Sequence, residues 1–246
     1  MVPFRKFSLT LLASLLIVAT LAVVIWFWSV GRPASGDPLV QVSPSPSSLP
    51  PAGAEPGTWG AVAAAAGPSG AAVQAFQGGR LYRSGTATVV SSDGLLVTVF
   101  DAAPLASPAA TFQVATPDGR LLAARAVARD ARNNLVLLKV SASDLTIAPL
   151  AASVPVAGAE LALVGGFVRL SAYTPTFAHS WVSYETPAYV VLDAVAASVP
   201  AGARALGTDG RQAGVVYVRN GQIRMVPAAL ISSFVDSYLQ STAPNR

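Results

Sequence analysis

The hydrophobic pattern divides the chain into three stretches. Residues 7–31 are largely apolar and carry no charge. Residues 32–60 switch to Pro, Ser and Gly with few large apolar side chains, so they cannot bury enough surface to offset the entropy of ordering. An extended, semi-stiff spacer is expected there. From about residue 70 onward, short apolar runs alternate with turn signals. Ser92-Asp93-Gly94, Pro117-Asp118-Gly119, Thr208-Asp209-Gly210 and Arg219-Asn220-Gly221 each supply a glycine where φ can turn positive. These turns predict hairpins that pair 86–90 with 95–99, 111–115 with 121–127, and 214–218 with 223–226. Only at the end does the period change. Leu230, Ile231, Phe234, Val235, Tyr238 and Leu239 fall at helical spacing over 227–239, with Pro227 suited to the first turn. The pattern predicts an all-β body closed by one C-terminal helix.

A bilayer core of about 30 Å needs about 20 apolar residues in helical form, so 7–31 is long enough to span it. Arg5 and Lys6 precede the run, and Trp26, Phe27 and Trp28 lie where an aromatic belt would meet the far headgroups. Residues 1–6 are then cytoplasmic, and the body lies on the periplasmic side of a bacterial inner membrane. A cleaved signal peptide competes with this reading. Its apolar region would run about 7–15 residues with a small-x-small site close behind, and Ala34-Ser35-Gly36 is a poor match. Within the spacer, Ser43-Pro44-Ser45-Pro46 and Pro50-Pro51 offer a polyproline surface as an alternative to a plain linker.

Composition removes several functions from consideration. Charged residues make up only 11% of the chain and the basic ones are scattered singly, so no stripe exists to track nucleic-acid phosphates. Cysteine is absent, which excludes a disulfide framework and thiolate chemistry. One histidine, His179, and isolated carboxylates give no metal-ligand set, and no cofactor motif is present.

Four segments carry a resemblance, one of them weaker than the rest. Ser84-Gly85 followed by Ser91-Ser92-Asp93-Gly94 and Thr98 is similar to the entry segment of HtrA/Deg proteases, which leads to the loop bearing the catalytic His. Asp130-Ala131-Arg132-Asn133-Asn134 followed by Leu135-Val136-Leu137-Leu138-Lys139-Val140 resembles the strand whose second Asp orients that His. Leu192-Asp193-Ala194, with Asp209-Gly210 and Gly214-Val215 downstream, resembles the frame around the family's PGNSGGPL nucleophile loop. Leu161-Ala162-Leu163-Val164-Gly165-Gly166 is a weaker match to the strand that opens a second barrel. The resemblance implies a trypsin-like double β-barrel over 61–240, with barrel one at about 70–148, barrel two at about 152–226, the helix at 227–239 and a tail at 241–246. No PDZ domain is expected to follow.

Carried over position by position, the resemblance puts Asp101 where the family has His, Asn134 where it has the orienting Asp, and Ala201 where it has the nucleophilic Ser. Val199 and Pro200 replace residues of the oxyanion loop, where Pro200 fixes φ and removes an N–H. Acyl transfer needs a nucleophile, a base, an orienting carboxylate and backbone donors. An inactive protease homologue is therefore expected, acting as a binding or scaffolding subunit of a membrane protein complex or with other envelope proteins. Two alternatives stay open: a divergent hydrolase using Ser198 or Ser180, and a sensor that binds extended peptides near Asp101 and Asn134. His179 and Ser180 are adjacent, and adjacent strand residues face opposite ways, so mutual hydrogen bonding is not expected. Trp59, Trp181, Tyr173 and Tyr184 are candidates for either interface anchors or core.

Overall fold

The computed structural model describes residues 59–103, 110–169, 172–194 and 199–243. The apolar run at 7–31, nearly all of the spacer, and Ser198 lie outside the described residues. Among the described residues, no helix is long and apolar enough to cross a membrane.

Helix α1 (Trp59–Ala66) and a short 3-10 turn (Gly67–Ser69) lead into twelve strands. The first six are β1 (Gly70–Gln77), β2 (Arg80–Ser91), β3 (Leu95–Val99), β4 (Thr111–Ala115), β5 (Leu121–Asp130) and β6 (Leu135–Val140). They close into an antiparallel barrel in the order β1-β2-β3-β6-β5-β4. The second six are β7 (Glu160–Arg169), β8 (Ala172–Glu185), β9 (Val190–Asp193), β10 (Arg204–Leu206), β11 (Gln212–Arg219) and β12 (Gln222–Pro227). These close in the order β10-β11-β12-β9-β8-β7. Helix α2 (Ala228–Thr242) follows directly. The expected double barrel with a C-terminal helix is what the chain forms.

The expected hairpins form, with Thr88 opposite Val97, Val114 opposite Leu122 and Val216 opposite Met225. Glycines 94, 119, 210 and 221 all have positive φ. Strands β3 and β6 read as nearly continuous apolar runs, interrupted by Thr98 and Lys139, because both of their faces are covered. Leu96, Val136 and Leu138 fill barrel one. Leu95, Val97, Val99, Leu135 and Leu137 point outward against Val215, Tyr217 and Val226 of barrel two and Ile231 and Val235 of α2. Burying a large aliphatic side chain contributes about 1.5–3 kcal/mol, so this shared layer is a main source of inter-barrel cohesion. Strand β5, with one face toward solvent, instead alternates.

Three details depart from the sequence pattern. Trp59 already begins a helix, inside the stretch read as spacer. Pro227 is the extended N-cap of α2 and ends β12, so it lies just outside the first helical turn. Leu239, at an apolar helical position, is 48% exposed. Ile231 and Val235 already cover the barrel layer, and one further turn carries Leu239 past it.

Close approach between the barrels depends on Gly202, whose φ is +81 and where a Cβ would fall 2.0 Å from the Thr86 carbonyl oxygen. At Gly221, φ is +76 but nothing lies within 4 Å. Gly202→Ala should therefore cost about 3 kcal/mol or more, strain plus overpacking, while Gly221→Ala costs about 1 kcal/mol. Denaturant unfolding of the two variants side by side checks this, and equal costs would contradict it.

Candidate functional site

The positions singled out in the sequence meet where the barrels touch. After β3 the chain makes a tight turn in which Ala102 and Ala103 both donate their N–H to the Val99 carbonyl, and this turn carries Asp101 at its exposed corner. Asn134 precedes β6 with φ of +60, a left-handed conformation that Asn tolerates better than most residues. Its carbonyl accepts the Phe100 N–H at 3.4 Å, which brings the turn and the start of β6 together. The neighbouring carboxylate, Asp130, is occupied locally, accepting from the backbone N–H groups of Arg132 and Asn133 and from Asn133 Nδ2. No hydrogen bond joins the side chains of Asp101 and Asn134.

Ala201 enters from barrel two. Its carbonyl accepts the Thr86 N–H at 2.8 Å, Gly202 N–H donates to Val216 O at 2.7 Å, and Ala203 N–H donates to Pro200 O at 3.1 Å. Gly85 packs between the two sides: a Cβ there would fall 2.4 Å from the Ala102 methyl and 2.5 Å from the Ala201 carbonyl oxygen. The Pro200 ring lies against Gly165, and Val199 is buried in the core of barrel two. The segment at 199–203 is thus fixed by backbone bonds and by apolar side chains turned inward. A hollow of about 630 Å³ between β5 and α2 takes in Asp130 and Asn133, but not Asp101, Asn134 or Ala201.

His179 and Ser180 diverge as their strand position requires. Ser180 is buried, and its hydroxyl donates to the Asp193 carbonyl at 3.2 Å. His179 lies on the outer face of barrel two, with its ring 5.3 Å from that of Trp59 and 4.6 Å from that of Trp181, and Nε2 3.6 Å from a Glu160 carboxylate oxygen. Of the four aromatic candidates, Trp59 packs onto the barrel and Tyr173 lies over Gly166 with its hydroxyl donating to Gly165 O. Trp181 and Tyr184 are each 44% exposed. Among the described residues, no group of three or more His, Cys, Asp or Glu side chains could hold a metal ion.

One feature was not read from the sequence. Arg204, three residues after Ala201, is fully buried. Its Nη1 donates to the Ala66 carbonyl at the end of α1 (2.6 Å) and to Ser69 Oγ (2.7 Å), while Nε and Nη2 have no partner. No carboxylate pairs with it among the described residues. Burial pulls its pKa below the usual guanidinium value, and the buried Tyr173 phenol nearby is pushed up. The available signal was a lone charge amid Ala203, Ala205 and Leu206, at a position where the resembled loop has Pro.

The architecture is that of a two-barrel peptidase domain, and the sequence agrees: a family model described as "Trypsin-like peptidase domain" matches residues 85–215. The chain belongs to the trypsin-like peptidase family. Among solved structures it is similar to the serine endoprotease from Yersinia pestis, with a TM-score of 0.63 and 19% identity over 74% of this chain and 67% of that one. At that identity the likeness speaks for the fold. No curated protein matches the sequence.

An unpaired buried cation costs several kcal/mol in solvation, and an apolar replacement of similar volume is often neutral or stabilising. Arg204→Met should accordingly hold or raise stability, by up to about 3 kcal/mol. Ser69→Ala removes an acceptor from the guanidinium and should cost about 1–2 kcal/mol. Unfolding midpoints of both variants test the pair, and a large loss in Arg204→Met would show that the two observed bonds outweigh desolvation.

Proposed function

We propose that this chain is a non-catalytic trypsin-like domain, anchored in a bacterial inner membrane through residues 7–31 and facing the periplasm, where it serves as a binding or scaffolding subunit of a membrane protein complex. The observation that carries the proposal is the placement of the chain's one imidazole. His179 packs between Trp59 and Trp181 on the outside of barrel two, whereas Asp101, Asn134 and Ala201 gather at the barrel contact.

The chemistry follows from that arrangement. A serine hydroxyl is a weak nucleophile until an adjacent base takes its proton. At Ala201 there is a methyl group. At Asp101 there is a carboxylate, which lacks the two-sided imidazole that takes a proton on one nitrogen while the other is held by an orienting group. At Asn134 there is a neutral amide that cannot stabilise an imidazolium. Pro200, with no N–H and its ring against Gly165, supports a loop built for packing in place of an oxyanion hole. Ser180 is committed to a backbone carbonyl. Trp181 and Tyr184, the exposed aromatics of β8, offer anchors for a partner, since Trp and Tyr carry a large share of interface energy.

A fluorophosphonate probe applied to the purified full chain should give no covalent label, and Ala201→Ser alone should not create one, because no base accompanies it. Labelling of the natural chain that disappears in Ser198→Ala or Ser180→Ala would overturn the proposal. Extraction in mild detergent should also recover stoichiometric membrane partners.

A further inference from the structure

The β1–β2 hairpin leaves the outer edge of β2 open near its tip. Strand β2 pairs with β3 only from Thr88, while β1 stays paired with β4 as far as Phe76, opposite Thr111. Residues 80–84 of β2 therefore pair with β1 alone, and all five are exposed. The tip turns through Gly78 and Gly79, both at positive φ, and a register shift after Ala75 sets Tyr82 out of the ladder. Leu81 is 55% exposed and Tyr82 49% exposed, with the Arg83 guanidinium 5.0 Å from the centre of the Tyr82 ring. Arg80 lies on the other side of the pair, and no acidic residue occurs between residues 70 and 92.

We infer that this hairpin tip is a second, peripheral membrane contact that lays Leu81 and Tyr82 into the interface of an anionic bilayer while Arg80 and Arg83 meet lipid phosphates. Single exposed apolar residues are ordinary. An adjacent Leu-Tyr pair between two arginines, on an exposed open edge with no acidic residue, has the composition of an interfacial anchor: an aromatic ring with a polar end, an aliphatic side chain, and cations for headgroups. The inference rests on the anchor proposed above. A spacer of the length of residues 32–58 has a root-mean-square reach of about 30 Å as a flexible coil and about 80 Å as polyproline, so the domain would be held close to the surface. A weak contact then suffices. Each arginine near an anionic surface favours association about fivefold.

The absence of cysteine allows a clean probe. The full chain carrying Leu81→Cys, labelled with an environment-sensitive fluorophore, is reconstituted into nanodiscs containing nitroxide lipid, either with phosphatidylcholine alone or enriched in phosphatidylglycerol. Val156→Cys, at a site 68% exposed on barrel two, is the control. The expected result is a blue shift and quenching at position 81 in the anionic discs, well above the control. Replacing Arg80 and Arg83 with Gln together should lower the bound-to-free ratio about 25-fold. A label at 81 quenched no more than the control, in a chain that stays with the disc, overturns the inference and leaves the anchor standing. A chain that leaves the disc refutes the anchor, and anionic nitroxide vesicles added to that same chain then decide the hairpin by the same quenching. Emission at 81 that responds to an added acidic protein but not to lipid would also overturn it, assigning the surface to a protein partner.

Discussion

Thr86 holds the two barrels together. Its N–H donates to the Ala201 carbonyl, its hydroxyl both accepts from the Gly166 N–H and donates to the Gly166 carbonyl, and its own carbonyl accepts the Thr98 hydroxyl. Every polar atom of one residue is thereby satisfied at a place fully removed from water. A buried amide or hydroxyl left without a partner costs about 1–3 kcal/mol, so the geometry around Thr86 is tightly specified. Gly85, Gly165, Gly166 and Gly202 follow from it. Gly85, Gly165 and Gly202 let β2, β7 and the segment before β10 approach closely enough for these bonds to form, Gly166 leaves room for the Tyr173 ring, and at each of the four a Cβ would meet a neighbouring atom below 3.0 Å.

That seam also fixes the segment at 199–203. The bonds that fix the segment run through backbone atoms: Ala201 O to Thr86, Gly202 N–H to Val216, and the pair between Ala203 and Val216. None depends on the side chain at position 201. The side chain at position 201 can therefore be exchanged for another small one at little energetic cost, whereas loss of the glycine beside it would force the barrels apart. Small side chains at Ala102, Ala201 and Ala203 suit the same crowding, and they account for part of the chain's high alanine content.

The turns and the paired strands around them were legible because their signals are local. Asp-Gly and Asn-Gly pairs fix turn geometry within a few residues, and period-two or continuous apolar runs report how many faces are covered. The missed features depend on tertiary contact. Helix α1 is a nearly uniform Ala-rich segment without amphipathic periodicity, and it is held by burying Val62, Ala63 and Ala66 against Ala162, Val164 and Leu206. Strand β8 contains Pro175, which ordinarily argues against a strand interior, yet the strand runs on to Glu185. At the candidate site, the positions of Asp101, Asn134 and Ala201 came only from resemblance. Single-residue patterns do not encode that three distant turns converge, and the bonds that make them converge are main-chain ones.

Arg204 was equally opaque, because its partners are a helix-end carbonyl and a serine 138 and 135 residues away in the chain. Its position is nevertheless informative. The Ala66 carbonyl lies at the C-terminal end of α1, where the peptide dipoles leave partial negative charge, so a guanidinium there gains a favourable interaction that a neutral donor would not. Ser69 reinforces the same point by donating to Ala66 and accepting from Arg204. Two of its nitrogens, Nε and Nη2, still lack partners, so the arginine cannot be explained as an optimised structural bond alone. What it does achieve is continuity. The end of α1, the 3-10 turn before β1 and the strand that follows Ala201 share one buried polar cluster, and a shift of α1 along the barrel would strip a buried charge of its two acceptors. Helix and loop are therefore bound to move together or not at all.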